Sequence, residues 1–147
     1  MILQGKSQNS KTSLNDLYDI AEENEISVMT AECPNCKAIS LLSPSGKCYI
    51  GMDYKAIKTE QEERQYLAHD IGHCVKGAFY NPYSPYSLIS QQEYRADKEA
   101  VKYLVPKDEL IAALKSGCTN MWELCEYFDV DEKYIKKAYW EYFDIAI

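Results

Sequence analysis

Apolar residues follow two patterns along this chain, first with helical spacing and then in short runs rich in β-forming residues. Ser13 can cap a first helix, with Asp16 three residues later, and an apolar stripe follows. Its members are Leu14, Leu17, Tyr18 and Ala21. Three short runs rich in β-forming residues come next, at 26–29, 38–43 and 48–52. Residues 44–47, Pro-Ser-Gly-Lys, are typical of a turn, so the pattern predicts a hairpin within a small sheet.

Two longer helices are predicted after this sheet. The first begins at residue 59 or 60, carries acidic residues in its first turn and ends at Gly77, a residue suited to the end of a helix. Residues 79–87 contain two prolines and three tyrosines, so they are predicted to form a loop. The second helix is expected over about 90–105 and ends just before a proline.

Residues 107–147 are predicted to form a helical tail. Its three short helices are expected at 107–116, at 120–128 after a Thr119 cap, and at 132–143 after an Asp131 cap. The last two resemble a helix-turn-helix, whose second helix is basic in DNA-binding proteins. Here its lysines are offset by neighbouring acids, so we interpret the pair as structural and as a docking surface for a protein partner. DNA binding through the tail is an alternative and would be salt-sensitive.

Length and composition favour a single α+β domain over residues 1–147, with the small N-terminal sheet packed on the two longer helices. The net charge of −7 disfavours a nucleic-acid or anionic-membrane surface, because both need a basic patch. Residues 1–12 are polar and are predicted to be a flexible leader rather than a signal peptide. No run of about 18 apolar residues occurs, so no membrane span is expected.

The chain contains six cysteines. Without an export signal they are expected to be free thiols in a reducing compartment, the cytoplasm. Cys33 and Cys36 form a Cys-x-x-Cys pair, but a zinc knuckle needs two further ligands at matching spacing, and no second pair of that kind is present. The strand–helix–strand context of a redox motif is also missing, so we interpret these two as plain reduced cysteines.

Residues 69–73 read His-Asp-Ile-Gly-His, one residue different from the zinc-peptidase signature His-Glu-x-x-His. On a helix, His69 and His73 project from the same face and can bind one metal ion. Asp70 stands where the signature has the glutamate that acts as general base. Gly72 costs about 1 kcal/mol relative to alanine within a helix, which indicates that another backbone approaches closely there. The alternative is a buried histidine pair that is hydrogen-bonded inside a core.

A zinc site needs a third protein ligand and a fourth position for water, and Glu93 is the best candidate for the third ligand. Glu93 and Asp97 lie on one predicted helix face, where two acids repel each other and charges directed at a core need partners. A metal held by Glu93, with Asp97 orienting a ligand histidine, would satisfy both. The alternative is a solvated acidic face. The outer side of this helix is already assigned to Gln92, Arg95, Lys98, Glu99 and Lys102.

The sequence Leu-Ala-His-Asp-Ile-Gly-His at 67–73, with Glu-x-x-Ala-Asp-x-x-Ala at 93–100 and Tyr-Leu-Val-Pro at 103–106, resembles the ImmA/IrrE metallopeptidases. Their pattern is a His-Glu-x-Gly-His helix followed by Glu-x-x-Ala-Asp/Asn-x-x-Ala and a Leu-x-Pro ending. The resemblance covers most of the chain. It implies a zincin-like fold, in which the small sheet packs on the two metal-site helices and a helical tail follows.

Carried over by position, the resemblance implies that His69, His73 and Glu93 bind Zn2+. It implies further that position 70 is the general base and that Asp97 orients a ligand. The implied activity is peptide hydrolysis, in which zinc polarises the scissile carbonyl and acidifies its water while Asp70 passes a proton to the leaving amine. Members of the family typically cleave or inactivate a helix-turn-helix repressor of a mobile element or stress locus. The expected partner is therefore a DNA-binding repressor, as a protein substrate.

Asp70 is a departure from the family pattern at the catalytic position. Its side chain is shorter than glutamate by one C–C bond, about 1.5 Å. A misplacement near 1 Å can cost about a hundredfold in rate, so we predict intact metal binding, reduced turnover and a higher rate in Asp70→Glu. The alternative function is a metal-binding module that sequesters the repressor without proteolysis.

Tyrosines in the predicted loop could supply a phenol that stabilises the oxyanion of the reaction. The candidates are Tyr80, Tyr83 and Tyr86. Because the chain contains thirteen tyrosines, packing and ordering of the loop are the favoured interpretation of these three.

Overall fold

The computed structural model describes residues 12–147, so the leader predicted over residues 1–12 lies, apart from Thr12, outside the described residues. The described chain contains six helices and three strands, which confirms the α+β class. In chain order the elements are α1 (Leu14–Glu23), β1 (Ser27–Thr30), β2 (Ala38–Leu42), β3 (Cys48–Met52), α2 (Glu60–Lys76), α3 (Tyr86–Leu104), α4 (Lys107–Lys115), α5 (Met121–Phe128) and α6 (Glu132–Phe143). None of these helices is long and apolar enough to cross a membrane.

The chain divides into two compact units, Ser13–Ala100 and Val101–Ile147. In the first unit the strands form one sheet in the order β1-β3-β2. β1 runs parallel to β3, and β2 pairs antiparallel with β3, which confirms the predicted hairpin. The bounds of β2 and β3 agree with the prediction to within one residue, and β1 begins one residue later than predicted.

Local signals in the sequence set the ends of the first two helices. Oγ of Ser13 accepts a hydrogen bond from the amide of Asp16, whose carboxylate accepts one from the amide of Ser13, each at 3.0 Å. Oγ1 of Thr59 accepts from the amide of Glu62 and caps α2. α2 ends at Gly77, which adopts the left-handed conformation with φ 61°. Both caps satisfy backbone groups that a helix end leaves without an intrahelical partner.

α2 packs on β2 and β3 and also contacts α1. Leu67 and Ile71 of α2 are fully buried, as are Ile50 and Met52 of β3. Burying a side chain of this size contributes about 1.5–3 kcal/mol. Arg64 of α2 is also fully buried, which the sequence pattern did not indicate. This packing fixes the helix that carries both histidines against the sheet.

Cys48 and Cys74 form a disulfide, so the expectation that all six cysteines are free thiols is wrong for these two residues. Their Cα atoms are 5.9 Å apart, within the usual range for a disulfide. Cys48 begins β3 and Cys74 lies in the last turn of α2, so the pairing depends on how the helix packs on the sheet. The free cysteines are Cys33, Cys36, Cys118 and Cys125.

α3 begins at Tyr86, four residues before its predicted start, and includes the end of the predicted loop. The carbonyl oxygen of Pro85 accepts two backbone hydrogen bonds from the first turn, each at 3.0 Å. Proline suits the start of a helix because its φ is preset and its missing N–H is not needed there. Glu99, predicted on the outer face of α3, is only 9% exposed, and its Oε1 lies 3.7 Å from Nζ of Lys76. That part of the face prediction was wrong.

The second unit contains α4, α5 and α6 near their predicted positions, and α5 packs on α6. The buried residues of this helix pair include Leu124, Phe128, Ile135 and Ala138. α5 is capped by Asn120, whose Oδ1 accepts from the amide of Glu123 at 3.0 Å, and not by Thr119 as predicted. Asp131 occupies the N-cap position of α6, but its side chain makes no capping hydrogen bond.

Candidate metal centre

Two histidines of α2 and one glutamate of α3 bring three ligand atoms together in the first unit. Nε2 of His69 lies 3.1 Å from Nε2 of His73 and 3.0 Å from Oε1 of Glu93. Nε2 of His73 lies 3.2 Å from Oε2 of Glu93. Among the described residues, these three form a group that could hold a metal ion. The three candidate ligands named from the sequence are therefore neighbours in the fold.

The Nδ1 atom of each histidine contacts a hydrogen-bond acceptor. Nδ1 of His69 lies 2.8 Å from Oδ1 of Asp97, and Nδ1 of His73 lies 2.6 Å from the carbonyl oxygen of Ala78. Carbonyl and ionised carboxylate oxygens only accept, so each Nδ1 carries the hydrogen. In a neutral imidazole, Nε2 then has no hydrogen and presents a lone pair. Two lone pairs and the carboxylate of Glu93 therefore face one another.

These facing acceptors repel one another unless a positive charge lies between them. Burial lowers the pKa of His69, but the hydrogen bonds to Asp97 and Glu93 outweigh it and raise the pKa to about 10. Hydrogen bonds with His69 and then His73 hold the pKa of Glu93 well below its usual range. The group therefore favours a cation, which is either a proton on an imidazole or a metal ion.

The spacing of the ligand atoms fits a small tetrahedral ion. Zinc bonds to nitrogen and oxygen of about 2.0–2.2 Å correspond to tetrahedral edges of about 3.3–3.6 Å. The observed separations are 3.1 Å between the nitrogens and 3.0 and 3.2 Å between nitrogen and oxygen. Increases of about 0.1–0.6 Å in these separations would accommodate the ion. Three protein ligands leave the fourth position of such an ion for water or substrate.

Gly72 allows α2 and α3 to approach closely beside the ligands. A Cβ atom at this position would lie 2.4 Å from the carbonyl oxygen of Ala96, a distance that real Cβ atoms do not adopt. The prediction that another backbone approaches Gly72 is confirmed. Ala96 is fully buried and lies one turn after Glu93 on α3, so this contact sets the position of Glu93 relative to His69 and His73.

The end of α2 orients His73, through a contact that was not predicted. Gly77 reverses the chain with φ 61°, and the amide of Ala78 donates to the carbonyl oxygen of His73 at 2.9 Å. The carbonyl oxygen of Ala78 then accepts from Nδ1 of His73. Gly77 was the available signal, because a glycine after a helix predicts such a reversal. It does not predict which side chain uses the carbonyl group that follows.

Asp70 follows the first ligand along α2 and is almost completely buried. It is 5% exposed, and its Oδ2 atom has no hydrogen-bond partner among the described residues. Burial raises the pKa of Asp70 to about 6, against the opposing charges of His69 and His73. A buried carboxylate oxygen without a partner costs free energy. A water molecule or a substrate group is therefore the expected partner of this atom.

Of the three candidate tyrosines, Tyr80 contacts the group. Its hydroxyl donates to Oε2 of Glu93 at 2.5 Å, and its ring centroid lies 6.2 Å from that of His73. Burial and the bond to Glu93 raise the pKa of Tyr80 to about 12, so the phenol remains a donor at neutral pH. Tyr83 and Tyr86 are 95% and 83% exposed, so the structure does not bury them beside the ligands.

Cys33 and Cys36 are not members of the metal group. The amide of Cys36 donates to the carbonyl oxygen of Cys33 at 3.3 Å, and the amide of Cys33 donates to Oδ2 of Asp53 at 3.1 Å. Burial and a hydrogen bond with Cys36 raise the pKa of the Cys33 thiol to about 11. Metal binding requires the thiolate, so this environment agrees with the interpretation of a plain reduced cysteine.

Comparison of the chain with protein-family models, with curated proteins and with solved structures found no match in any of the three. The residues themselves show a partly buried group of two histidines and one glutamate that could hold a metal ion. Beside it lies a buried carboxylate with one oxygen that has no partner in the described part of the chain.

Proposed function

We propose that this protein is a zinc-dependent endopeptidase of the ImmA/IrrE type, with a zincin-like arrangement of α2, α3 and the sheet. The observation that carries the proposal is the convergence of Nε2 of His69, Nε2 of His73 and the carboxylate of Glu93. Three acceptors that face one another cost free energy unless they have partners, and one proton on an imidazole can be shared with only part of the group. A metal ion provides the partner for all three.

The donor set supports zinc as the ion. Two imidazole nitrogens and one carboxylate oxygen form the ligand set of catalytic zinc in well-known peptidases. Magnesium and calcium take six or more ligands, mostly oxygen, so this group suits them less well. A bound zinc ion supplies Lewis acidity toward the scissile carbonyl and toward a water molecule.

Asp70 is the general base in this proposal. It takes a proton from the attacking water and passes it to the leaving amine. Its pKa, which burial raises to about 6, is close to the neutral range in which a base can both accept and release a proton. Asp97 holds His69 in the tautomer that leaves Nε2 free. Tyr80 is the candidate donor to the oxyanion, and its single hydroxyl hydrogen would turn from Glu93 to do so.

A protein substrate is supported by the edge strand next to the metal-site helix. β2 lies at one edge of the sheet and packs on α2. Its exposed apolar residues are Ile39, Leu41 and Leu42. An extended peptide can pair with such an edge through main-chain hydrogen bonds and place alternate side chains on its apolar residues.

A DNA-binding repressor is the proposed substrate. The resemblance to the ImmA/IrrE metallopeptidases supports this choice. The charge of the chain, −7, also favours association with a protein whose surface is basic enough to bind DNA. The same charge disfavours direct binding of this chain to nucleic acid.

The second candidate function is a metal-binding module that sequesters the repressor without cleaving it. Asp70 favours this candidate, because its carboxylate is about 1.5 Å shorter in reach than that of a glutamate. A general base must lie within hydrogen-bond reach of the proton that it takes. The protein would bind zinc in either function, so its zinc content alone does not distinguish the peptidase from the sequestering module.

Incubation of the purified protein with the helix-turn-helix repressor encoded in a neighbouring reading frame tests the proposal. The reaction is run with zinc, with a chelator, and with the chelator followed by excess zinc, and the products are identified by mass spectrometry. We expect cleavage that the chelator abolishes and zinc restores. His69→Ala should lose both zinc and cleavage, whereas Asp70→Asn should keep zinc and lose cleavage. Asp70→Glu should cleave faster than the unmodified protein.

Asp19→Asn provides the matched control, because it removes an exposed acid of α1 and should leave cleavage unchanged. Stoichiometric binding of the repressor, without cleavage by the unmodified protein or by Asp70→Glu, would favour the sequestering module. Cleavage that persists in the chelator or in His69→Ala would contradict the proposed role of zinc.

A further inference from the structure

We propose that the disulfide between Cys48 and Cys74 controls the metal affinity of the candidate centre, so that the site responds to the thiol redox state. This inference rests on the proposed function of the metal group. It concerns regulation of the site and adds no residue to the catalytic set.

The disulfide joins the sheet to the residue next to a metal ligand. Cys48 is the first residue of β3, and Cys74 follows His73 directly in the last turn of α2. The bond therefore fixes the carboxyl end of α2 to the sheet. It does so at the point where the chain leaves the metal site.

Residues 75–77, between Cys74 and the buried Ala78, lie at the surface. Val75 is 37% exposed, and Gly77 is exposed as well. Nζ of Lys76 lies 3.7 Å from Oε1 of Glu99, and the carbonyl oxygen of Lys76 accepts from Arg95 at 2.6 Å in an exposed bond. The bond from Arg95 is exposed, and the pair of Lys76 with the buried Glu99 is long and open to water on the lysine side, so both contribute little to stability. The disulfide is the covalent restraint on this segment.

This segment also supplies the group that orients His73. Nδ1 of His73 donates to the carbonyl oxygen of Ala78, four residues beyond Cys74. Opening the disulfide gives the turn from Cys74 to Ala78 more freedom, so the imidazole is held less firmly with Nε2 toward Glu93. Losing a contact that orients a metal ligand typically lowers metal affinity by about 10–100-fold. The oxidised form is therefore the form that binds zinc tightly.

A small thiol can reach the disulfide. Both cysteines line a cleft of about 500 Å³, with Lys47 and Lys76 also in its wall. The two lysines outnumber the one acidic residue of the wall, Glu25, and so favour the approach of a thiolate, which is the attacking species in disulfide exchange. One thiolate attacks a sulfur of the disulfide to give a mixed disulfide and a cysteine thiolate, which takes up a proton. A second thiol then releases the other cysteine, so that two thiols become one small-molecule disulfide and the protein gains two cysteine thiols.

Zinc affinity of the full chain, measured by competition with a fluorescent chelator, tests this inference. The protein is compared after treatment with oxidised glutathione and after treatment with a phosphine reductant. His69→Ala, treated in the same two ways, gives the zinc held by cysteine thiols alone. We expect reduction to weaken zinc binding by about tenfold or more. Cys48→Ser/Cys74→Ser should bind with the weaker affinity in both conditions, and Cys118→Ser should behave as the unmodified protein does.

Equal zinc affinity before and after reduction would overturn the redox inference and leave the proposed function standing. Six alkylatable thiols in the glutathione-treated protein would overturn it too, because the bond predicts four. If neither the oxidised nor the reduced protein binds more zinc than His69→Ala does, the proposed function is overturned and the redox inference with it. If the double variant does not fold, the comparison of the oxidised and reduced forms of the unmodified protein decides.

Discussion

Nδ1 of His69 on α2 lies 2.8 Å from Oδ1 of Asp97 on α3, and this contact links the two helices of the candidate metal centre. The side chains are 21% and 18% exposed, so water has limited access to the bond. The carboxylate fixes the hydrogen on Nδ1 and makes Nε2 a stronger electron donor. This one contact therefore affects both the position of His69 and the electron-donating strength of its Nε2 atom.

Asp97→Asn should weaken zinc binding by about 10–100-fold, because the amide keeps the size of the side chain but removes its charge. The measurement is a competition titration against a chromophoric chelator. Asp19→Asn changes the net charge equally on an exposed part of α1 and is the control. Unchanged zinc affinity in Asp97→Asn would show that other contacts orient His69.

Tyr80→Phe distinguishes two roles of the phenol, donation to the oxyanion and positioning of Glu93. The variant removes only the hydroxyl that donates to Glu93. We expect kcat to fall by about a hundredfold at saturating zinc, which is the usual cost of losing one oxyanion donor. Tyr83→Phe, at a residue that is 95% exposed, should have no effect. A fall in zinc affinity with kcat unchanged would mean that Tyr80 only positions Glu93.

Gly72→Ala should destabilise the protein by about 1–3 kcal/mol, the usual cost of overpacking, and weaken zinc binding as α2 and α3 separate. The clash is with the carbonyl oxygen of Ala96, so adding Ala96→Gly should not restore either property. Gly51→Ala is the contrasting case, because its Cβ atom would lie 2.8 Å from Cβ of Ala31. Ala31→Gly should rescue it. Denaturant unfolding and zinc titration of the four variants measure these effects.

The carboxylate of Asp53 should stabilise the folded protein at neutral pH and should lose this effect in acid. Its carboxylate accepts hydrogen bonds from the amides of Cys33 and Ala56, and the bond from Cys33, against the opposing effect of burial, lowers the pKa of Asp53. Because the folded-state pKa is the lower one, the contribution is fully present above the ordinary value of about pH 4 and is lost as the pH falls from there through the folded-state pKa. Between about pH 6 and pH 3, the urea midpoint should fall less in Asp53→Asn than in the unmodified protein. Equal losses in both would contradict this role.

Local signals were sufficient to predict most elements of the fold. Ser13 and Asp16 form the expected capping box, Gly77 ends α2 and residues 44–47 join the hairpin. Each of these signals depends on residues no more than four positions apart. Each was therefore predictable without knowing how the helices and strands pack. The start of α3 is not predicted because proline disfavours the interior of a helix, whereas Pro85 lies just before the first turn, where its preset φ and missing N–H are tolerated.

The metal group was predictable because its parts follow helical spacing. His69 and His73 are four residues apart, and Glu93 and Asp97 repeat that interval on the next long helix. What the sequence could not show depends on how separate elements pack. The examples are the Cys48–Cys74 bond, the carbonyl group of Ala78 and the burial of Arg64 and Glu99. Each depends on residues that are more than one helical turn apart in the sequence, so no local pattern reveals it. The exception is the chain reversal before Ala78, which Gly77 predicts.

The zinc K-edge X-ray absorption spectrum of the protein loaded with one equivalent of zinc identifies the atoms that bind the ion. We expect only nitrogen and oxygen neighbours, at about 2.0–2.2 Å, with the outer-shell scattering of two imidazole rings from His69 and His73. His73→Ala should lose this spectrum. A sulfur neighbour at about 2.3 Å would assign the zinc to cysteines such as Cys33 and Cys36 and would contradict the proposed centre.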